Sequence, residues 1–134
     1  MIVIDTTIAV AFLRGEPRSI SAIRSAQEST DSVAVSTVSL FELLNPIYHR
    51  KLDRQERILR TFIRQMRLLP LDSDAAEEAA RIMGALLRIG KPVNALDVLI
   101  AGTAVANGAE KILSSDADYE NIANVSNLKL QLVH

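Results

Sequence analysis

Four acidic side chains, far apart along the chain, have the residue type and the placement of a divalent metal site: Asp5, Glu42, Asp97 and Asp116. Carboxylates held close together repel one another and raise their own pKa values. A Mg²⁺ or Mn²⁺ ion removes that repulsion, and both ions prefer oxygen ligands. In such a site the metal orients a phosphate, activates a water and stabilises the leaving oxygen. These residues therefore predict hydrolysis of a phosphodiester bond with Mg²⁺ or Mn²⁺ as cofactor.

Each acid also has an ordinary structural explanation when it is considered alone. Asp5 follows an apolar run and is suited to cap the next helix, and Asp116 is a common turn residue. The segment 94–97 has the spacing of a capping box with Asp in place of Glu. Glu42 fits a solvated helix position. Caps and turns favour Asp in any protein, so neither Asp5 nor Asp116 indicates a site by itself.

Glu42 and Asp97 are harder to explain as ordinary surface residues. Both lie inside apolar stretches, 40–44 and 95–100, and neither has a Lys or Arg within one helical turn. A buried acid without a partner is costly. A hard cation is the simplest partner for both, although a distant basic residue would also serve.

Short apolar strands alternate with helices along the chain, and these elements must position the acids. Strands are predicted at 2–4, 33–35, 111–113 and 128–133, with 68–71 either a strand or a connection. Helices, including their caps, are predicted at 6–13, 18–27, 36–44, 54–67, 72–87 and 95–106, with a polar turn at 114–118. Pro46 lies inside the third helical pattern and is expected to kink it.

This alternation predicts an α/β domain with a parallel sheet and helices on both faces. Ligands of such sheets bind outside the carboxyl ends of the strands. Asp5 and Asp116 would point into one crevice there, and helices entering the crevice would add Glu42 and Asp97. Residues 1–134 are expected to form a single domain.

Composition excludes several kinds of site. Apolar residues make up 49% of the 134 residues, which suits a buried core, and the net charge of −1 does not indicate a strongly basic nucleic-acid binder. The absence of cysteine excludes disulfides, zinc thiolates and a Cys nucleophile, and two histidines are too few for a His-rich metal site. No apolar run reaches the about 18 residues of a membrane span, and residues 1–5 have neither the basic region nor the cleavage site that a secretion signal would be expected to show. A cytoplasmic protein is expected.

One helix carries a local positive charge. Its basic residues are Arg54, Arg57, Arg60, Arg64 and Arg67. They have two interpretations: contacts to RNA phosphates, or a solvated helix face partly paired with its own acids. Charge reversal at Arg60 and Arg64 distinguishes the two.

Four segments of the sequence resemble the PIN-domain ribonucleases, and most closely the VapC toxin branch of toxin–antitoxin systems. They are IVIDTT (2–7), VSTVSLFEL (35–43), NALDVLIAGTA (94–104) and LSSDADY (113–119). Their order and spacing match that family across nearly the whole chain. None is decisive alone, but four in order are fairly specific.

The resemblance implies a three-layer α/β/α fold with a central, mostly parallel sheet, and an acidic pocket made of the four acids named above. Asp5 and Asp97 would be the most direct metal ligands. Thr6 and Ser114 match polar positions that support the pocket by hydrogen bonding, and Asp118 matches a secondary acid. The resemblance also implies RNA as substrate, a homodimer, and a cognate antitoxin whose peptide covers the active site.

Two departures and two alternatives accompany this resemblance. The VapC branch often has Gly shortly after the second acid, where this chain has Asn45-Pro46, and Gly102 stands where Ala is more usual. One alternative is a phosphohydrolase with Asp5 as nucleophile, which usually has a second acid where this chain has Thr7. The other is a non-catalytic PIN-like assembly module, although the presence of all four acids argues against a decayed site.

Overall fold

The strands of the predicted sheet form where β-branched and other apolar residues are concentrated. The computed structural model describes residues 1–30 and 32–134. Its five parallel strands lie in the order β3-β2-β1-β4-β5. They are β1 (Ile2–Ile4), β2 (Val33–Ser36), β3 (Arg67–Leu69), β4 (Lys111–Ser114) and β5 (Lys129–Leu132). The predicted parallel sheet is confirmed.

Helices cover both faces of this sheet. They are α1 (Thr6–Leu13), α2 (Pro17–Ser29), α3 (Thr37–Arg50), α4 (Asp53–Arg64), α5 (Ser73–Arg88), α6 (Ala95–Ala106) and α7 (Tyr119–Val125). Within residues 1–30 and 32–134, no helix is both long and apolar enough to cross a membrane.

Two apolar cores separate the layers because successive strand residues point to opposite faces. Ile2 and Ile4 of β1 pack in one core with buried residues of α1 to α4. Val3 packs in the other core, mainly with residues of α5, α6 and α7. The predicted three-layer α/β/α fold is therefore confirmed.

Strand register places three polar side chains at one edge of the sheet. Ile4 pairs with Val35 on one side and with Leu113 on the other. The residues that follow these three positions are Asp5, Ser36 and Ser114. Three neighbouring parallel strands therefore end together, and the acidic pocket is built at that edge.

The packing of α6 on α5 explains why Gly102 stands where the family more usually has Ala. A Cβ atom at this position would lie 2.5 Å from the Ala79 backbone nitrogen, far inside van der Waals contact. Only glycine therefore allows α6 to pack this closely on α5. The pairing holds α6, and with it Asp97, against the sheet.

Two helix boundaries differ from the predicted ones, and one helix was not predicted. The predicted helix 54–67 ends at Arg64, because Arg67–Leu69 pairs with β2 as a strand. The seven-residue α7 was not predicted, because a helix of about two turns is too short to show a clear apolar periodicity. Burial of Tyr119 and Ile122 in the second core stabilises it. α3 continues through Pro46 to Arg50.

A candidate acidic metal site

Asp5 lies at the end of β1 and is the most buried of the predicted acids, with 1% of its surface exposed. Its Oδ1 accepts hydrogen bonds from the Thr7 hydroxyl (2.6 Å) and from the Ile8 backbone N–H (3.1 Å), so it also caps α1. Its Oδ2 accepts from the Ser114 hydroxyl at 2.5 Å. Burial raises the pKa of Asp5, and these three hydrogen bonds oppose that increase.

Two hydroxyl groups fix the orientation of the Asp5 carboxylate. The Ser114 hydroxyl accepts a hydrogen bond from the Asp116 backbone N–H at 2.9 Å, and the Thr7 hydroxyl accepts one from the Ser115 backbone N–H at 2.9 Å. Each hydroxyl therefore directs its own proton to Asp5. The role of Thr7 was missed from the sequence, where only its position two residues after Asp5 was noted.

Glu42 enters the pocket from the first turns of α3. Ser36 caps that helix by accepting a hydrogen bond from the Ser39 backbone N–H at 3.0 Å. The Thr6 hydroxyl donates to Glu42 Oε1 at 2.7 Å and lies 2.9 Å from the Ser39 hydroxyl. Thr6 thus holds Glu42 in place from the beginning of α1.

Asp97 shows that the four acids converge. Its pKa is raised to about 6, first by burial and then by the negative charges of Asp116, Asp5 and Glu42. The Tyr119 hydroxyl lies 3.5 Å from Asp97 Oδ1, and this contact partly opposes the increase. Carboxylates from four separate segments therefore lie within electrostatic reach of one another.

Asp116 contributes its charge from the turn after β4. Its Oδ1 accepts a hydrogen bond from the Asp118 backbone N–H at 2.9 Å. Asp116 therefore also stabilises the turn, as expected for an Asp at such a position. Asp118 itself is exposed at the start of α7 and makes no side-chain capping bond. It does not line the acidic cavity.

The burial of these acids differs from the sequence expectation. Glu42 and Asp97, from the apolar stretches, are only partly buried, whereas Asp5 is nearly inaccessible. Partial exposure arises because both helix positions face the cavity at the edge of the sheet. Asp5 is buried because β1 is the central strand.

An open cavity of about 490 Å³ lies over this edge of the sheet. Three of the acids line it, and the side chains of α1 form part of its wall. The lining residues that matter below are Thr6, Thr7, Arg14, Glu42, Asp97 and Asp116. Asp5 lies beneath, bonded to Thr7.

The donor set fits a hard divalent cation. The four predicted ligands offer only oxygen donors, which Mg²⁺ and Mn²⁺ prefer. Asp5 Oδ2 accepts only the Ser114 bond and keeps a lone pair. The pKa of Asp97 is raised first by burial and then by repulsion from the other three acids, and a cation would remove that repulsion. Across residues 1–30 and 32–134, no three acidic or histidine side chains already surround a single point. In this arrangement Thr6 donates a hydrogen bond to Glu42, and Thr7 and Ser114 donate to Asp5.

The basic residues of α4 lie away from this cavity. Arg60 donates to Glu56 Oε2 at 2.8 Å and to the Tyr48 hydroxyl at 2.8 Å. Neither Arg60 nor Arg64 lines the acidic cavity. The pairing of Arg60 favours the solvated-face interpretation of this helix.

Comparison with known proteins places the chain in a family. Residues 2–125 match the PIN domain. The chain is 24% identical over 123 residues to the tRNA(fMet)-specific endonuclease VapC of Shigella flexneri, and the aligned residues cover 91% of this chain and 92% of that protein. It is 29% identical over 119 residues to ribonuclease VapC19 of Mycobacterium tuberculosis, covering 86% and 89% of the two chains.

Solved structures show the same fold. A chain of the VapBC2 complex from Rickettsia felis, bound to a promoter DNA fragment, superposes with a TM-score of 0.86 at 18% identity over 100% of both chains. A chain of VapBC-1 from nontypeable Haemophilus influenzae gives 0.83 at 19% identity over 98% of both. The match over residues 2–125, together with this fold, shows that the chain belongs to the PIN domain family.

Proposed function

We propose that this chain is a divalent-metal-dependent endoribonuclease and the toxin of a VapBC-type toxin–antitoxin pair. The observation that carries the proposal is the convergence of four carboxylates: Glu42, Asp97 and Asp116 line one cavity and Asp5 lies beneath it. Burial and the charges of the other three acids raise the pKa of Asp97 to about 6. Membership of the PIN domain family and the ribonuclease relatives support it.

In this proposal Asp5, Glu42, Asp97 and Asp116 hold Mg²⁺ or Mn²⁺, with Asp5 and Asp97 as the most direct ligands. Once bound, the ion supplies charge that orients the scissile phosphate and lowers the pKa of a water. Ser114 and Thr7 keep Asp5 oriented, and their donated hydrogen bonds favour its ionised form.

The remaining polar groups position the other ligands. Thr6 orients Glu42, and the Tyr119 hydroxyl, which burial keeps protonated by raising its pKa, faces Asp97. Hydroxyl donors that carry no charge thus contact Asp5, Glu42 and Asp97. Asp118, exposed and outside the cavity, is proposed only as a secondary acid.

An antitoxin is the proposed protein partner. An apolar groove of about 290 Å³ between α1, α3 and α4 adjoins the acidic cavity and shares Val10, Arg14 and Glu42 with it. Leu13, Pro46 and other apolar side chains line this groove, so Pro46 stands on the surface that a partner peptide would contact. A segment lying in the groove would reach the acidic cavity and cover it.

A homodimer in the cytoplasm is the proposed physiological form. Two aromatic side chains of α3, Phe41 and Tyr48, are 58% and 56% exposed, which is unusual for such large rings in a monomer. A second copy of the chain would cover such a surface. Light scattering of the purified protein measures this directly, and a monomer at micromolar concentration would contradict it.

The experiment that tests the nuclease proposal is cleavage of total RNA with Mg²⁺, with Mn²⁺ and with EDTA. We expect cleavage only with metal, and a loss of at least about 100-fold in Asp5→Asn and Asp97→Asn. Asp74→Asn is the matched control, because Asp74 is an exposed acid in the first turn of α5. Equal cleavage by all three variants, or cleavage in EDTA, would refute the proposal.

The two alternatives predict other outcomes. A non-catalytic module would leave RNA intact with any metal. A phosphohydrolase with Asp5 as nucleophile would form a covalent aspartyl intermediate, detectable by mass spectrometry. The burial of Asp5 and its three hydrogen bonds argue against attack by this carboxylate on a substrate.

A further inference from the structure

A single basic side chain lines the acidic cavity in the part of the chain that the structure describes. It belongs to Arg14, the residue that ends α1. Arg14 is exposed and also lines the adjoining apolar groove. The guanidinium therefore lies at the boundary between the two depressions.

Within residues 1–30 and 32–134, no acidic group pairs with the Arg14 guanidinium. The side-chain ion pairs there are Arg60 with Glu56 and Arg81 with Glu78. In the same part of the chain Arg14 makes no side-chain hydrogen bond either, although four carboxylates line the same cavity: Glu16, Glu42, Asp97 and Asp116. Its charge is thus available to a ligand.

Electrostatics explain why a substrate would need this charge. The four acids carry about four negative charges when ionised, and one divalent cation neutralises about two of them. The remaining negative potential opposes the approach of an RNA backbone, and the whole protein has a net charge of −1. A guanidinium at the rim offsets part of this repulsion and matches the geometry of a phosphate.

The length of α1 sets the distance of Arg14 from the acidic centre. Asp5 caps one end of this eight-residue helix and Arg14 ends the other. At 1.5 Å per residue, their Cα atoms are roughly 13 Å apart along the helix axis. This separation of the Cα atoms, and the absence of an ion pair with the acids, favour a contact with a neighbouring phosphate over a contact with the scissile one.

We propose that Arg14 binds an RNA backbone phosphate that flanks the scissile phosphate. This inference rests on the proposed nuclease function and adds a substrate-binding residue outside the four acids. The contact is to a phosphate, so it strengthens binding to RNA of any sequence. Its competing explanation is that the aliphatic stem of Arg14 merely covers the apolar groove.

The test compares the wild type with Arg14→Gln, Arg14→Lys and the control Arg24→Gln. Arg24 is an exposed arginine of α2 that lies outside both depressions. A labelled single-stranded RNA containing a site cut by the wild type is hydrolysed at salt concentrations from about 50 to about 200 mM. KM, kcat and the dependence of kcat/KM on salt are measured for each protein.

We expect Arg14→Gln to raise KM while kcat stays within about twofold of the wild type. One lost phosphate contact lowers the salt slope by about 0.7, so the defect in kcat/KM shrinks about 2.6-fold between the lowest and the highest salt. Arg14→Lys retains the slope because the charge remains. Fluorescence anisotropy of the same RNA on Asp97→Asn protein, with and without Arg14→Gln, measures the contact without catalysis.

The outcomes separate this inference from the nuclease proposal. If the wild type cuts no RNA, the proposed function fails. If the wild type cuts RNA but Arg14→Gln matches Arg24→Gln in KM and salt slope, the inference is overturned. A lower kcat with unchanged KM, or an unchanged anisotropy, also overturns it.

Discussion

Asp97→Asn should make the metal-free protein more stable at neutral pH and should abolish the stabilisation of the protein by added Mg²⁺. Burial and the neighbouring acids raise the pKa of Asp97 from 3.8 to about 6. The folded state therefore holds a proton more tightly than the unfolded state does. The free energy of unfolding falls as pH rises from about 4 to about 6, and the full penalty is present above about pH 6.

The magnitude follows from the size of that change. At about 1.4 kcal/mol per pKa unit, the unscreened penalty is roughly 3 kcal/mol. Asp97 is only half-buried, so solvent screening reduces this to about 1.5 kcal/mol. Asp97 also lies in the first turn of α6, where the helix dipole favours a negative charge by about 0.5 kcal/mol. Removal of the charge should thus stabilise the metal-free protein by about 1 kcal/mol.

Thermal unfolding followed by circular dichroism measures this effect. In EDTA at pH 7.5, Asp97→Asn should melt about 3 to 4 °C above the wild type, and the difference should shrink at pH 5. Added Mg²⁺ should raise the melting temperature of the wild type but not that of the variant. The control Asp74→Asn should show neither effect. An Asp97→Asn protein that melts at or below the wild type at pH 7.5 would refute the proposed charge repulsion.

Three further predictions concern packing, ligand orientation and RNA contact. Gly102→Ala should lower the free energy of unfolding in urea by about 1 to 3 kcal/mol, because its methyl group meets the α5 backbone. Gly84→Ala, whose Cβ meets only a side-chain tip at 3.8 Å, should stabilise by up to about 1 kcal/mol. Thr7→Val should lower RNA cleavage about 10- to 100-fold while Thr7→Ser retains it, since only serine preserves the hydroxyl. Charge reversal at Arg60 and Arg64 should leave RNA affinity and its salt dependence unchanged; a clear loss of either would restore the RNA-contact interpretation of α4.

The sequence alone determined the layers of this protein and the four acids of its candidate metal site. The apolar runs at 2–4, 33–35 and 111–113 form three neighbouring parallel strands. A parallel sheet brings the carboxyl ends of its strands to one edge whatever the details of packing. For that reason the convergence of Asp5 and Asp116 could be predicted from their positions just after two strands. The participation of Glu42 and Asp97 could be predicted from the apolar residues that surround them in the sequence.

Tertiary structure decided what local pattern does not encode. The position of β1 at the centre of the sheet buries Asp5. The Thr7 hydroxyl donates a hydrogen bond to Asp5 and accepts one from the backbone N–H of Ser115, which lies 108 residues away in the turn after β4. The seven residues of α7 are helical because Tyr119 and Ile122 are buried between layers. Long-range packing sets these features, since it determines which faces lose water and which hydroxyl reaches which carboxylate.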